Sequence, residues 1–153
     1  MMIFKKGIGY LFFTLCLTVF LAGCNVPTSG GYAPMSLGGK TIYVDFADAD
    51  NAKYQMADFK ASYVSAGPIL TVLKKVTGQK EVEAGVIHGS GEYKKLSCNE
   101  AKTTFVFTDK QNVHPAGSHL ILNLKFNSET SGAFAGHFAD TPDQELKGKF
   151  ELK

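Results

Sequence analysis

From residue 119 onward, apolar and polar residues alternate almost without a break. Leu120, Leu122, Leu124 and Phe126 fall on one side of an extended chain, while Asn123 and Lys125 fall on the other. Leu146, Phe150 and Leu152 repeat the pattern against Lys147, Lys149 and Glu151, with Gly148 in the slot that lacks a side chain. Successive side chains leave a pleated strand in opposite directions, so a period of two is the signature of β-structure. A helix made of these residues would spread its apolar positions around the whole circumference. The alternation therefore specifies antiparallel strands with one face inward and one face wet. Ile42, Val44 and Phe46 share a face in the same way, as do Phe134 and Phe138.

Turn chemistry stands between these runs. Cys98-Asn99-Glu100 separates residues 92–96 from 102–107, residues 127–132 separate the Leu120 strand from the Phe134 strand, and residues 141–145 precede the last strand. Candidate strands lie at about 40–47, 52–59, 61–66, 69–76, 82–88, 91–97, 102–109, 118–127, 132–139 and 146–152, with mergers leaving eight or nine. Only at 69–76 does a short helix compete. Short strands at regular spacing predict an all-β fold, a single antiparallel β-barrel, with a β-sandwich as the second architecture.

The chain opens differently. Residues 1–6 end in Lys5-Lys6, residues 7–23 carry no charge, and the apolar run stops at Leu21-Ala22-Gly23-Cys24. A basic start, an apolar run and a small-residue boundary are the three parts of an export signal. The run is short for a spanning helix, which needs about 20 apolar residues, and Pro27 and Gly30-Gly31 follow soon after. Leu21-Ala22-Gly23-Cys24 resembles the lipobox of bacterial lipoproteins. That resemblance implies diacylglyceryl transfer to the Cys24 sulfur and cleavage between Gly23 and Cys24. It also implies a place in the bacterial cell envelope, with the membrane as a partner through the lipid on Cys24. Each buried methylene adds about 0.8 kcal/mol of membrane affinity, so two or three acyl chains hold firmly. Asn25 after the cysteine resembles substrates sent on to the outer membrane of a two-membrane cell.

The organisation expected is therefore a signal peptide at 1–23, an acylated cysteine and flexible tether at 24–39, and an antiparallel β-domain at 40–153. Residues 25–39 are uncharged and carry Pro, Gly and Ser, the composition of a flexible linker. Gly38-Gly39-Lys40-Thr41 does not make a phosphate loop, because the required earlier glycine is replaced by Pro34 and strand sequence follows.

Within the domain, residues 89–152 resemble uncharacterised β-modules of exported bacterial proteins. The matching stretches are Gly91-Glu92-Tyr93-Lys94-Lys95, Asn99, Thr103-Thr104-Phe105-Val106-Phe107, Leu122-Asn123-Leu124-Lys125-Phe126, Gly132-Ala133-Phe134 and Gly148-Lys149-Phe150-Glu151-Leu152. Lys95 stands where a second tyrosine is usual. Gly39-Lys40-Thr41-Ile42 is similar to the first strand of small lipocalin-like barrels. The resemblance implies a lipocalin- or calycin-like barrel and brings no activity with it.

Charge and cysteine content narrow the partners. Loss of the signal removes Lys5 and Lys6 from the 16 basic residues and leaves the domain balanced against its 14 acidic ones. Every basic residue is lysine. Without arginine's planar fork or a basic stripe, nucleic acid is not an expected partner. Cys16 leaves with the signal and Cys24 is acylated, so Cys98 is expected as an unreactive, unbridged thiol.

No catalytic constellation emerges, and the expectation is a protein that is not an enzyme and holds no cofactor. His88, His114, His119 and His137 lack the spacing of a metal site, although His119 and His137 would share an outer face if their strands pair. His88-Gly89-Ser90-Gly91-Glu92 reads as a bend between strands, since triad members converge from separate elements. Residues 45–51, rich in aspartate, lack the glycine and terminal glutamate of a calcium loop and read as a solvated turn. The 12 Phe and 6 Tyr belong inside, either filling the domain or walling a cavity for one small apolar ligand. The function expected is a membrane-anchored, non-catalytic interaction or structural module for an envelope protein. The alternative is a lipocalin-like binder of a small apolar ligand.

Overall fold

A computed structural model of the chain describes residues 31–54, 57–64, 67–74, 82–109 and 115–153. These form β1 (Thr41–Phe46), α1 (Asp48–Tyr54), β2 (Phe59–Val64), β3 (Gly67–Lys74), β4 (Val82–Ile87), β5 (Gly89–Lys95), β6 (Glu100–Phe107), β7 (His119–Phe126), β8 (Ser131–Phe138) and β9 (Leu146–Leu152). The nine strands make one sheet in the order β4-β3-β2-β1-β9-β8-β7-β6-β5, antiparallel throughout.

The two edges of that sheet, β4 and β5, are consecutive in the chain, with only His88 between them. Residues 82–95 are thus one bent ribbon that bonds to β3 with its first half and to β6 with its second. The sheet curls until its edges meet, which makes an antiparallel barrel of the up-and-down kind. At the seam Pro68 of β3 lies over Gly91 of β5, where an added Cβ would stand 2.7 Å from the proline ring. Proline has no N–H to offer a ladder, so this part of the seam closes by packing. An edge closed this way gives another chain little to pair with.

The inward slots are those the alternation marked. Ile42, Val44, Phe46, Leu120, Leu122, Leu124, Phe126, Phe134, Phe138, Leu146, Phe150 and Leu152 are all buried in one core. Two ring pairs meet over a glycine of the strand between them, Gly148 or Gly132, and a third crosses the barrel. Phe46 of β1 stands edge-on to Phe134 of β8 at 5.3 Å, and Phe59 of β2 to Phe105 of β6 at 5.1 Å. Phe126 of β7 and Phe150 of β9 close to 4.8 Å. Such T-shaped pairs contribute about 0.5–1.5 kcal/mol each beyond the area they bury.

Three inward slots carry glycine for a steric reason. A Cβ on Gly148 would lie 2.6 Å from the Phe134 ring, one on Gly132 2.7 Å from the Phe150 ring, and one on Gly136 2.7 Å from Leu122. The neighbouring side chains already fill those spaces. At these three places the interior is filled by side chains.

Two expectations change. Of the strand expected at 52–59, residues 52–54 are instead the end of α1, residues 55 and 56 lie outside the described residues, and β2 begins only at Phe59. Asp50 stands in the first turn, where the helix dipole favours a negative charge, and Lys53 in the last turn, where it favours a positive one. The solvated turn expected at 45–51 is largely this same helix. Its Asp50 carboxylate accepts the Lys147 N–H at 2.7 Å, and Asp58 accepts the Phe46 N–H at 2.9 Å. The run at 69–76 where a helix competed is strand as far as Lys74; residues 75 and 76 lie outside the described residues.

The second change concerns the tether. Ala33 and Leu37 are buried, at 3% and 1% exposure, and both belong to the core cluster. Among the described residues of that stretch, Leu37 is the large aliphatic residue that enters the core, at the end where β1 starts. Gly39 N–H bonds to Tyr63 C=O at 2.8 Å, and Lys40 C=O accepts Tyr63 N–H at 2.9 Å. Residues 33–39 are part of the domain, not a linker to it.

Candidate functional site

The plugged end of the barrel is where the chain enters the domain, and its polar contacts are concentrated there. Tyr93 and Lys95 occupy inward slots of β5, opposite Thr103 and Ala101. Tyr93 donates its hydroxyl to Pro34 C=O at 2.8 Å, and Lys95 Nζ donates to Ala33 C=O at 2.7 Å. The β5–β6 turn takes the next contacts: Ala33 N–H bonds to Cys98 C=O at 3.0 Å, and Tyr32 N–H to Asn99 Oδ1 at 2.9 Å. Gly31 passes so close that a Cβ there would stand 2.7 Å from Cys98 Cβ. The lysine found in place of a second tyrosine thus satisfies a carbonyl of the entering segment.

Behind this layer, the Tyr63 hydroxyl meets Thr103 Oγ1 at 2.8 Å across the interior. Thr103 spends its single O–H on Glu92 C=O at 2.9 Å, so Tyr63 is the donor of the pair. Burial pushes both tyrosine hydroxyls up to about 12. They are neutral, structural hydrogen-bonding groups at any ordinary pH. Sequence reasoning missed Tyr63, Thr103, Tyr93 and Lys95 as a group. The available signal was parity, since each stands in an inward slot otherwise reserved for apolar residues.

Cys98 is disulfide-bonded, which corrects the expectation of an unbridged thiol. The chain has two other cysteines, Cys16 and Cys24. Both lie outside the described residues, as do Gly23 and the whole stretch read as signal and lipobox. No helix among the described residues is long and apolar enough to cross a membrane.

The histidines do not converge. His88, at the bend between β4 and β5, places Nδ1 2.6 Å from Asp109 Oδ2, and its N–H meets the same oxygen at 3.2 Å. Both side chains are exposed, and the imidazole holds the Asp109 carboxyl below its usual range. This clip binds the loop after β6 to the bend and draws in neither Ser90 nor Glu92. His119 and His137 do lie on neighbouring strands, but Ile121 is the register partner of His137. His114 lies outside the described residues. No group of three metal-ligating side chains is present among them.

A groove of about 400 Å³ lies mainly on the outer wall, lined among the described residues by Tyr43, Asp45, Leu73, Lys149, Phe150, Glu151 and Lys153. Its charges largely answer one another. Asp45 is the register partner of Lys149, Tyr43 that of Glu151, and Lys153 sits 4.4 Å over the Tyr43 ring. Lys153 also approaches Glu151 at 3.8 Å. The groove is open and mixes these charges with Leu73, Phe150 and the Tyr43 ring, unlike the enclosed pocket that a barrel-borne ligand would need.

Compared with known proteins, the chain matches no family model, no curated protein and no solved structure.

Proposed function

We propose that this chain is an envelope lipoprotein, anchored through Cys24, whose barrel acts by its surface as a non-catalytic interaction or structural module. Localisation is carried by Leu21-Ala22-Gly23-Cys24 at the end of an uncharged apolar run. The mode of action is supported by one structural observation, the contact of β2 with β6 across the interior, where Phe59 meets Phe105 and Tyr63 meets Thr103. Phe59 and Phe105, in contact from well-separated strands, occupy interior space that a guest would need. These contacts count against the ligand-binding alternative and favour the outer walls and ends as the surfaces by which the domain acts.

Lipidation has a consequence for Cys98. A thioether and a disulfide cannot share one sulfur. Acylation of Cys24 and removal of Cys16 take away both cysteines with which Cys98 can pair inside the chain. Acylation needs Cys24 as a free thiol, so a Cys98 disulfide to it must first be reduced by a thiol donor that leaves as a disulfide itself.

The experiment is expression of the full chain and of Cys24→Ala in a bacterial host supplied with labelled palmitate. The wild-type chain should take up label and fractionate with membranes. Cys24→Ala should lose the label and accumulate as an unprocessed precursor. Normal processing of Cys24→Ala would remove the basis of the proposal.

A further inference from the structure

We infer that the plugged end of the barrel is a membrane-apposed surface, which touches a phospholipid bilayer through Tyr32, Met35 and Leu96. This rests on the anchor proposed above and adds an orientation to it.

Exposure is the first observation. Met35 is 82% exposed, Leu96 53% and Tyr32 47%. The three stand at the same end, since Tyr32 bonds to Asn99 in the turn after Leu96 and Pro34, next to Met35, accepts the Tyr93 O–H; the other exposed large apolar residues, Val64, Ile69 and Val86, lie on β2, β3 and β4. Scattered apolar residues on a surface need no explanation, but a group gathered on one end does. A flexible thioether, a leucine and a tyrosine with its polar tip suit the boundary between headgroups and acyl chains.

Reach is the second observation. The described chain begins at Gly31, against Cys98, and Cys24 stands seven positions earlier. An extended chain spans at most about 3.6 Å per residue, so Gly31 stays within roughly 25 Å of the acylated sulfur. A strand rises about 3.3 Å per residue, so the eight residues of β6 carry the chain roughly 23 Å from this end towards the Pro115-Ala116-Gly117 turn. The short leash keeps the plugged end at high effective concentration beside the bilayer, where contacts too weak to bind a free protein still orient a tethered one. Bilayer, rather than a protein partner, is the occupant that the leash itself delivers.

The chain contains no tryptophan, so single tryptophans report position without a background. Met35→Trp, Leu96→Trp and Ala116→Trp are prepared as lipidated full-length proteins in phosphatidylcholine vesicles whose acyl chains are brominated. All three positions are exposed, so the fold is preserved. Tryptophan at 35 and at 96 should be quenched severalfold more than at 116. Hydrogen exchange of the unmodified protein should slow at 93–99 on reconstitution. Protein that floats with vesicles yet shows equal quenching at the three positions and unchanged exchange overturns the orientation while leaving the anchor intact. Protein that neither carries acyl mass nor floats overturns the anchor, and the orientation with it.

Discussion

The hydroxyl of Tyr63 reaches across the barrel from β2 to Thr103 on β6, at 2.8 Å. Because Thr103 donates to Glu92 C=O, the two ends of this link are unequal. Tyr63→Phe leaves Thr103 its carbonyl partner and should cost about 0.5–1.5 kcal/mol. Thr103→Val strands the buried tyrosine hydroxyl and should cost about 1–3 kcal/mol. Urea titrations of both variants measure the asymmetry, and equal losses would mean that the donor has been misassigned.

The same tyrosine gives a pH dependence of known sign. Burial raises Tyr63 and Tyr93 from 10.0 to about 12, so the folded state favours the neutral phenol. Their contribution is complete below about pH 10 and is lost as pH rises towards about 12. Stability should therefore fall above pH 10, with less slope in Tyr63→Phe. Denaturation midpoints at a series of alkaline pH values check this, alongside phenolate absorbance.

Gly148 and Gly85 separate two meanings of glycine in a strand. An added methyl at Gly148 meets the Phe134 ring at 2.6 Å and the Asp45 carbonyl oxygen closer still, whereas nothing lies within 4 Å at Gly85. Gly148→Ala should destabilise by about 1–3 kcal/mol through overpacking. Gly85→Ala should be neutral or stabilise by up to about 1 kcal/mol through the unfolded chain. Thermal melts of the two variants are sufficient.

Leu37 makes the entering segment part of the fold. Its replacement by alanine should cost about 2–5 kcal/mol, the range for a buried leucine. A chain begun at residue 40 should melt well below one begun at residue 31. Equal melting temperatures would restore the segment to a linker.

What could be read in the sequence was local. Alternation at Leu120–Phe126 and Leu146–Leu152 declared its strands because strand period is a property of neighbours. The bent ribbon at 82–95 was not legible as a closure, since nothing near His88 says that its two halves bond to strands far apart in sequence. Gly132, Gly136 and Gly148 gave no clue to their close packing until the side chains over them, Phe150, Leu122 and Phe134, were placed. Leu37 sat in a Gly- and Ser-rich stretch, where composition speaks for a linker and only tertiary burial speaks against it. The plugged end was hidden for the same reason, because Tyr93 and Lys95 serve carbonyls some 60 positions away.

The fate of the Cys24 sulfur tests the account most directly. Peptide mass mapping of the protein extracted from bacterial membranes, without reduction, locates Cys24 and Cys98 in one experiment. The account predicts an N-terminal Cys24 carrying a diacylglyceryl thioether, with residues 1–23 gone. A peptide in which Cys24 is joined to Cys98 by a disulfide, or a chain that still carries residues 1–23 at steady state, would contradict it.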